Sequence, residues 1–147
     1  MSKIEISHNF DPSGDDLAPL RQRFHEFVQA GMPGLPDEDE DRHFLFSMER
    51  DGEFIGAICG SVYWDGLEID TLWVDDNYRG QGLGRRLVEE AENYAREQGA
   101  VIAFLKTVEA GEFYQRLGYE TFGVLEDRPI GTLLYHMKKR LDRRDEE

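Results

Sequence analysis

Between Val74 and Leu87 the chain passes from an apolar run into a turn with glycine at every second position, Gly80, Gly82 and Gly84, and then into an amphipathic stretch. A strand that feeds a helix through such a turn leaves several backbone N–H groups unpaired at the helix start, where the helix dipole favours an anion. Without Cβ atoms at the glycines, a phosphate can approach the backbone closely. Arg79, Arg85 and Arg86 cluster around the turn in a chain that is otherwise acidic. The pattern predicts a site for a phosphate-bearing cofactor.

Three phosphate sites compete. A P-loop requires a lysine and a hydroxyl after its second glycine, yet no lysine lies between Lys3 and Lys106. A dinucleotide fold requires GxGxxG after the first strand, and here both spacing and position differ. The third reading is a pyrophosphate cradle of the form R/Q-x-x-G-x-G/A, matched by Arg79-Gly80-Gln81-Gly82-Leu83-Gly84. On these residues the sequence resembles the GNAT superfamily of N-acetyltransferases. A second segment, Glu109–Tyr119 with Ala110, Phe113-Tyr114 and Leu117-Gly118-Tyr119, is similar to the family's later signature. One departure stands out: where many members carry an asparagine after the fifth strand, this chain has Lys106-Thr107.

The remaining pattern gives the order of elements. Lys3–Phe10 alternates and predicts a first strand. Asp15 and Asp16 precede Leu17, Leu20, Phe24, Phe27 and Val28 at helical spacing, up to Gly31. Gly31–Asp41 reads as a loop. Asp51-Gly52 joins strands His43–Arg50 and Glu53–Tyr63, and Asp65-Gly66 predicts a second hairpin into Leu67–Val74. A helix from Leu83 stops near Gly99, and Val101–Leu105 reads as a buried parallel strand. A short helix through Phe113 and Tyr114 ends at Gly118. Tyr119–Glu126 and Thr132–Lys139 are the last strands, and Asp142–Glu147 reads as a charged tail. The expected architecture is α/β: one domain with a mixed sheet, helices on both faces, and the order β-α-β-β-β-α-β-α-β-β. The same order resembles the GNAT fold over almost the whole chain.

The charge is 17 − 31 = −14. Nucleic-acid binding needs a basic footprint, so no nucleic-acid partner is expected. The acidic balance instead suits cationic acceptors, though solubility alone also accounts for it. The single cysteine, Cys59, lies in an apolar run and reads as a core residue. No signal peptide or membrane span is visible, so a cytoplasmic protein without membrane attachment is expected. The four histidines lack metal-ligand spacing, and no metal is expected.

The resemblance implies an acetyl-CoA-dependent N-acyltransferase working by direct transfer in a ternary complex. Pyrophosphate would sit on Arg79–Gly84, helped by Arg85. Pantetheine would lie along Leu72, Trp73 and Val74, where one backbone N–H would face the thioester oxygen. Glu68 and Asp70 share a strand face, and Glu68 matches the place of a catalytic base in some members, with Asp70 behind it. Tyr114 matches the family's acid for the departing thiolate, although Phe113, Tyr114 and Leu117 at helical spacing also suit a plain core. Tyr63, Trp64 and Asp65 read as a packed hairpin turn, with an acceptor wall as the alternative. The acceptor would be an amine of a small molecule or protein. Dimers are frequent in the family, so a homodimer is compatible. The competing reading is a non-catalytic CoA-binding module, which would need neither Tyr114 nor Glu68.

Overall fold

Asp51 and Gly52 both adopt positive φ, 51° and 81°. This is the paired left-handed geometry that lets a two-residue turn match the twist of the strands beside it. The turn joins β1 (Arg42–Arg50) to β2 (Glu53–Tyr63). A second tight turn leads from β2 into β3 (Gly66–Val74). Its central residues are Trp64 and Asp65, with φ of 47° and 60°, and Tyr63 faces Gly66 across it. The sequence placed this turn one residue later, on Asp65-Gly66. Glycine is the residue usually found at positive φ, whereas here it is the first ladder residue and two side-chain-bearing residues take the strained positions.

The structure, a computed structural model, describes residues 2–35, 41–109 and 111–142. The chain forms two compact units, Met1–Pro36 and Asp37–Glu147. The first holds α1 (Gly14–Gly31). Ser13 caps it by accepting from the Asp16 N–H, while the Asp16 carboxylate accepts from the Ser13 N–H, a reciprocal capping box. Residues 2–10 are not a strand, which corrects the expectation for Lys3–Phe10. Their alternation supplies a face without a partner: Ile4 and Ile6 stay exposed, and no ladder is formed among the described residues. The expected loop begins at Met32, and its residues 36–40 lie outside those described.

The second unit is one six-stranded sheet of order β1-β2-β3-β4-β6-β5, where β4 is Ile102–Thr107, β5 Glu120–Glu126 and β6 Leu133–Arg140. Among the described residues only β3 and β4 pair in parallel; the other pairs are antiparallel. The crossover between β3 and β4 carries α2 (Leu83–Glu97), and α3 (Gly111–Arg116) follows β4. Leu87, Val88, Ala91 and Ala95 of α2 close over Ile58, Val62, Leu67, Ile69, Ala103, Leu105 and Met137 to make the core. Phe44 and Phe46 of β1 extend that core against Tyr94 of α2. Among the described residues no helix is long and apolar enough to cross a membrane.

A bulge in β3 decides which side chains reach the open face of the sheet. Ile69 pairs with Gly60 and Thr71 with Cys59, so Asp70 has no counterpart on β2. An extra residue in one strand shifts the alternation of its side chains. Leu67 and Ile69 therefore face the core before the bulge, and Leu72 and Val74 pack toward it after. Glu68 and Asp70 are left on the opposite, open face.

Candidate active site

The glycine turn has the predicted form. A short 3-10 turn, Asp76–Tyr78, leaves β3, with the Asp75 side chain accepting from the Asn77 N–H at 2.9 Å. Gly80 and Gly82 have φ of 80° and 76°, and Gly82 caps α2. The first α2 hydrogen bond runs from the Arg86 N–H to the Gly82 carbonyl. No hydrogen bond engages the N–H groups from Gly80 to Arg85 among the described residues. An anion there would meet a run of donors at the positive end of a fifteen-residue helix. Gly84 serves a different purpose. A Cβ at that position would lie 3.2 Å from Cζ of Phe113, so its smallness lets the two sequence signatures touch.

The flanking arginines are engaged within the turn. Arg79 donates through Nε to the Val74 carbonyl at 3.2 Å and pairs with Asp76 at 3.1 Å. Arg85 pairs with Glu89 at 2.8 Å along the helix. Both pairs are exposed and hold their partners only weakly. Gln81 is exposed beside them, and Leu83 is half-buried at the helix start.

The parallel pairing of β3 with β4 covers only Gly66–Glu68 against Ile102–Phe104. Beyond it β3 continues to Val74 and β4 to Thr107 without pairing. Leu72, Trp73 and Val74 pair with Ile58, Ala57 and Gly56 of β2, which leaves their other edge without a strand. The sheet is therefore open between its two halves, next to the glycine turn. Trp73 stacks on Phe54, the ring centroids 5.5 Å apart.

Tyr114 lies in the core on the α2 side, its ring 5.0 Å from Phe113 and 5.7 Å from Tyr119. The core reading of its helical spacing thus holds for the ring. Its hydroxyl makes no hydrogen bond within the described residues, and burial pushes its pKa above the usual tyrosine value. It is a protonated donor with no acceptor of its own. The second signature's Ala110 lies outside the described residues.

Glu68 and Asp70 occupy the other face and line a pocket of about 370 Å³ with Asp41, His43, Ser61, Tyr63 and Trp64. Tyr63 donates through its hydroxyl to Glu68 Oε1 at 3.1 Å. Burial first, and then the Glu68 hydrogen bond and charge, raise the Tyr63 pKa. Of the two readings of the aromatic turn, a packed hairpin and an acceptor wall, Tyr63 and Trp64 fit the wall as well, since both line this pocket. Asp41, His43 and Ser61 were missed. They arrive through the ladder, where His43 faces Ser61 and Ser61 faces Glu68. A wider hollow along α1, lined by Asp15, Pro19, Arg23 and neighbours, holds no residue of either signature.

This arrangement can hold a phosphate at one end, admit an extended chain at the sheet opening, and present a carboxylate on one face and a phenol on the other. The sequence model of the acetyltransferase (GNAT) family matches residues 7–119. Blasticidin-S acetyltransferase of Streptomyces morookaense is 41% identical over 93 residues, spanning 61% of this chain and 68% of that enzyme. The crystal structure of an acetyltransferase from Bacillus cereus ATCC 14579 superposes with a TM-score of 0.76 at 29% identity, covering 91% of this chain and 97% of that one. An aminoglycoside 6'-N-acetyltransferase complexed with coenzyme A shares the fold at 18% identity, with a TM-score of 0.63 over 92% of this chain and 98% of its own. By sequence and by fold, this chain belongs to the acetyltransferase (GNAT) family of group-transfer enzymes.

Proposed function

We propose that this chain transfers an acetyl group from acetyl-CoA to a primary amine, directly and without an acyl-enzyme. The observation that carries the reading is the opening between β3 and β4, which starts beside the free N–H groups of Gly80–Arg85. A pyrophosphate on those donors would direct the pantetheine arm into the opening. There it could take up the unpaired backbone edge of Leu72, Trp73 and Val74, as an added strand does.

The acceptor enters as an ammonium and must lose a proton before attack. Glu68 is the base in this reading, with Asp70 nearby as its alternate. Tyr63 orients the Glu68 carboxylate by donating to one of its oxygens. The amine nitrogen attacks the thioester carbonyl carbon, and negative charge gathers on the carbonyl oxygen. A backbone N–H near Trp73 or Val74 stabilises it. As the C–N bond is made the nitrogen sheds its second proton to solvent, the C–S bond breaks, and the thiolate takes the Tyr114 hydroxyl proton, which solvent then restores. A phenol and a thiol are close enough in basicity for that transfer.

Glu68 and Tyr114 sit on opposite faces of the sheet, and the opening is the path between them. A thioester held in it has a base on the side the amine enters and an acid on the side the thiolate leaves. The test is calorimetric titration with acetyl-CoA, followed by thiol release against a panel of amines. Binding together with acceptor-dependent release supports the reading. Binding without release to any amine would favour a sensing module, and absence of binding would remove the argument built on the glycine turn.

A further inference from the structure

The acceptor pocket carries more negative charge than deprotonating one amine requires. Asp41, Glu68 and Asp70 all line it, and no lysine or arginine does among the described residues. All three carboxylates act on the Tyr63 phenol. A second and independent feature points to a ligand. Ser61 is only 6% exposed and lies in the pocket lining, and its hydroxyl has no hydrogen-bond partner among the described residues. Among the described residues no side-chain N or O is both buried and unpartnered, so the Ser61 hydroxyl keeps a surface open to something polar in the pocket.

The carboxylates are not at one point. Arg42 pairs with Val62, so Asp41, one residue earlier, lies level with the Tyr63 end of β2. Tyr63 in turn faces Gly66, at the start of β3. Asp70 is four residues further along β3, at the bulge and toward the opening. Measured along β2, from Tyr63 to the bulge between Gly60 and Cys59, and at a rise of roughly 3.3 Å per residue, the two ends of the pocket are about 12 Å apart. Tyr63 and Trp64 stand at the Asp41 end, with ring centroids 5.5 Å from each other. Aromatic faces beside a carboxylate suit a cation. Glu68 and Ser61 lie between the two ends.

We propose that the acceptor is a dication. Its reacting amine lies by Glu68 and Asp70, and a second, remote cationic group is held by Asp41 against the Tyr63 and Trp64 rings. The inference rests on the acyltransfer reading, because it needs that reading to say which end of the pocket reacts. It adds that selectivity comes from the end that does not react. A monoamine would leave Asp41 uncompensated. A diamine too short to span the pocket would gain nothing over it.

The experiment compares linear α,ω-diamines of about four to about ten carbons, a span set by the strand rise, with monoamines of matched length. Thiol release in the presence of acetyl-CoA gives kcat/KM for each. The expected result is a preference for the longer diamines of roughly tenfold or more, the scale of one charge-assisted contact. Asp41→Asn should bring the diamine-to-monoamine ratio close to one, and Asp41→Glu should keep most of it. Thermal melts of both variants check that they remain folded. Equal use of diamines and monoamines by the unmodified protein would overturn the proposal. So would a preference that survives Asp41→Asn. If no amine is acylated, the acyltransfer reading fails instead. Calorimetric binding of the long diamine and its matched monoamine to the CoA-loaded protein then decides the proposal by the same ratio and the same variants.

Discussion

The Tyr119 hydroxyl donates to Glu92 Oε2 at 2.8 Å in the interior, and Lys139 Nζ lies 3.1 Å and 3.2 Å from the two oxygens of the same carboxylate. Glu92 is 2% exposed. A charge so placed is tolerated because it is both paired and hydrogen-bonded. The trio ties the middle of α2 to β6 and to the segment after α3. Tyr119 in turn packs on Tyr114, so the network backs the phenol that the proposed chemistry uses.

Removing one member of the trio leaves the others stranded. Glu92→Ala should cost about 3 kcal/mol, the lower end for a broken buried pair because the Lys139 side chain keeps 18% exposure. Replacing Glu92 and Lys139 together with methionine should recover most of that loss. Urea midpoints at neutral pH measure both.

Alkaline pH should unfold the chain through its tyrosines. Burial and Glu92 push the Tyr119 pKa far above its ordinary value, and Tyr114 and Tyr63 are raised as well. A raised folded-state pKa means the native form keeps its proton longer. The resulting stability is full below the unfolded value, about pH 10, and falls as pH climbs beyond it. Melting temperature should be flat across neutral pH and drop steeply above about pH 10. Tyr119→Phe should start less stable, having lost a bond to a buried charge, and should show a shallower alkaline drop.

Tyr114 separates a chemical from a structural role cleanly. Its hydroxyl bonds to nothing in the protein among the described residues, so Tyr114→Phe should change the urea midpoint little. Loss of a general acid should lower kcat on the order of 10²-fold, with acetyl-CoA affinity within about twofold of the original. A variant that binds and turns over normally would remove Tyr114 from the mechanism.

The glycines of the turn and sheet should fail for different reasons. At Gly82, φ of 76° with nothing within 4 Å of an added Cβ means Gly82→Ala strains the backbone without a clash. It should cost about 1 kcal/mol in stability and weaken acetyl-CoA binding in calorimetry. At Gly60 an added Cβ would run into the Glu68 carbonyl oxygen, which is backbone and cannot swing aside. Gly60→Ala should therefore break the β2–β3 ladder, and soluble yield with circular dichroism would report it.

The sequence foretold the glycine turn, α2 and both hairpins because their signals are local. Asp51-Gly52 names its own turn geometry, and the period of Leu87, Val88, Ala91 and Ala95 names its own face. The first strand was misread because an alternating segment becomes a strand only when a partner accepts its hydrogen bonds. The pocket was half legible. Glu68 and Asp70 stood out as acids within an apolar strand, but Asp41, His43 and Ser61 depend on register. Counted back from the Asp51-Gly52 turn, His43 should face Gly60. A bulge between Met48 and Glu49 moves it to Ser61, and no composition rule announces that single extra residue. A second bulge, at Asp70, likewise hid which side of β3 would face the core beyond Ile69.

The three-residue seam between β3 and β4 has a consequence for how the molecule comes apart. It joins β1–β2–β3 to β4–β6–β5, and it is the only strand contact between those halves among the described residues. The amides of β3 and β4 that face the gap beyond it are therefore the ones to exchange with solvent earliest among the interior strands. A guest that bridges the gap acts as the missing rungs of a ladder. Its occupancy would then protect those amides, and the protection would rise with guest concentration as mass action requires.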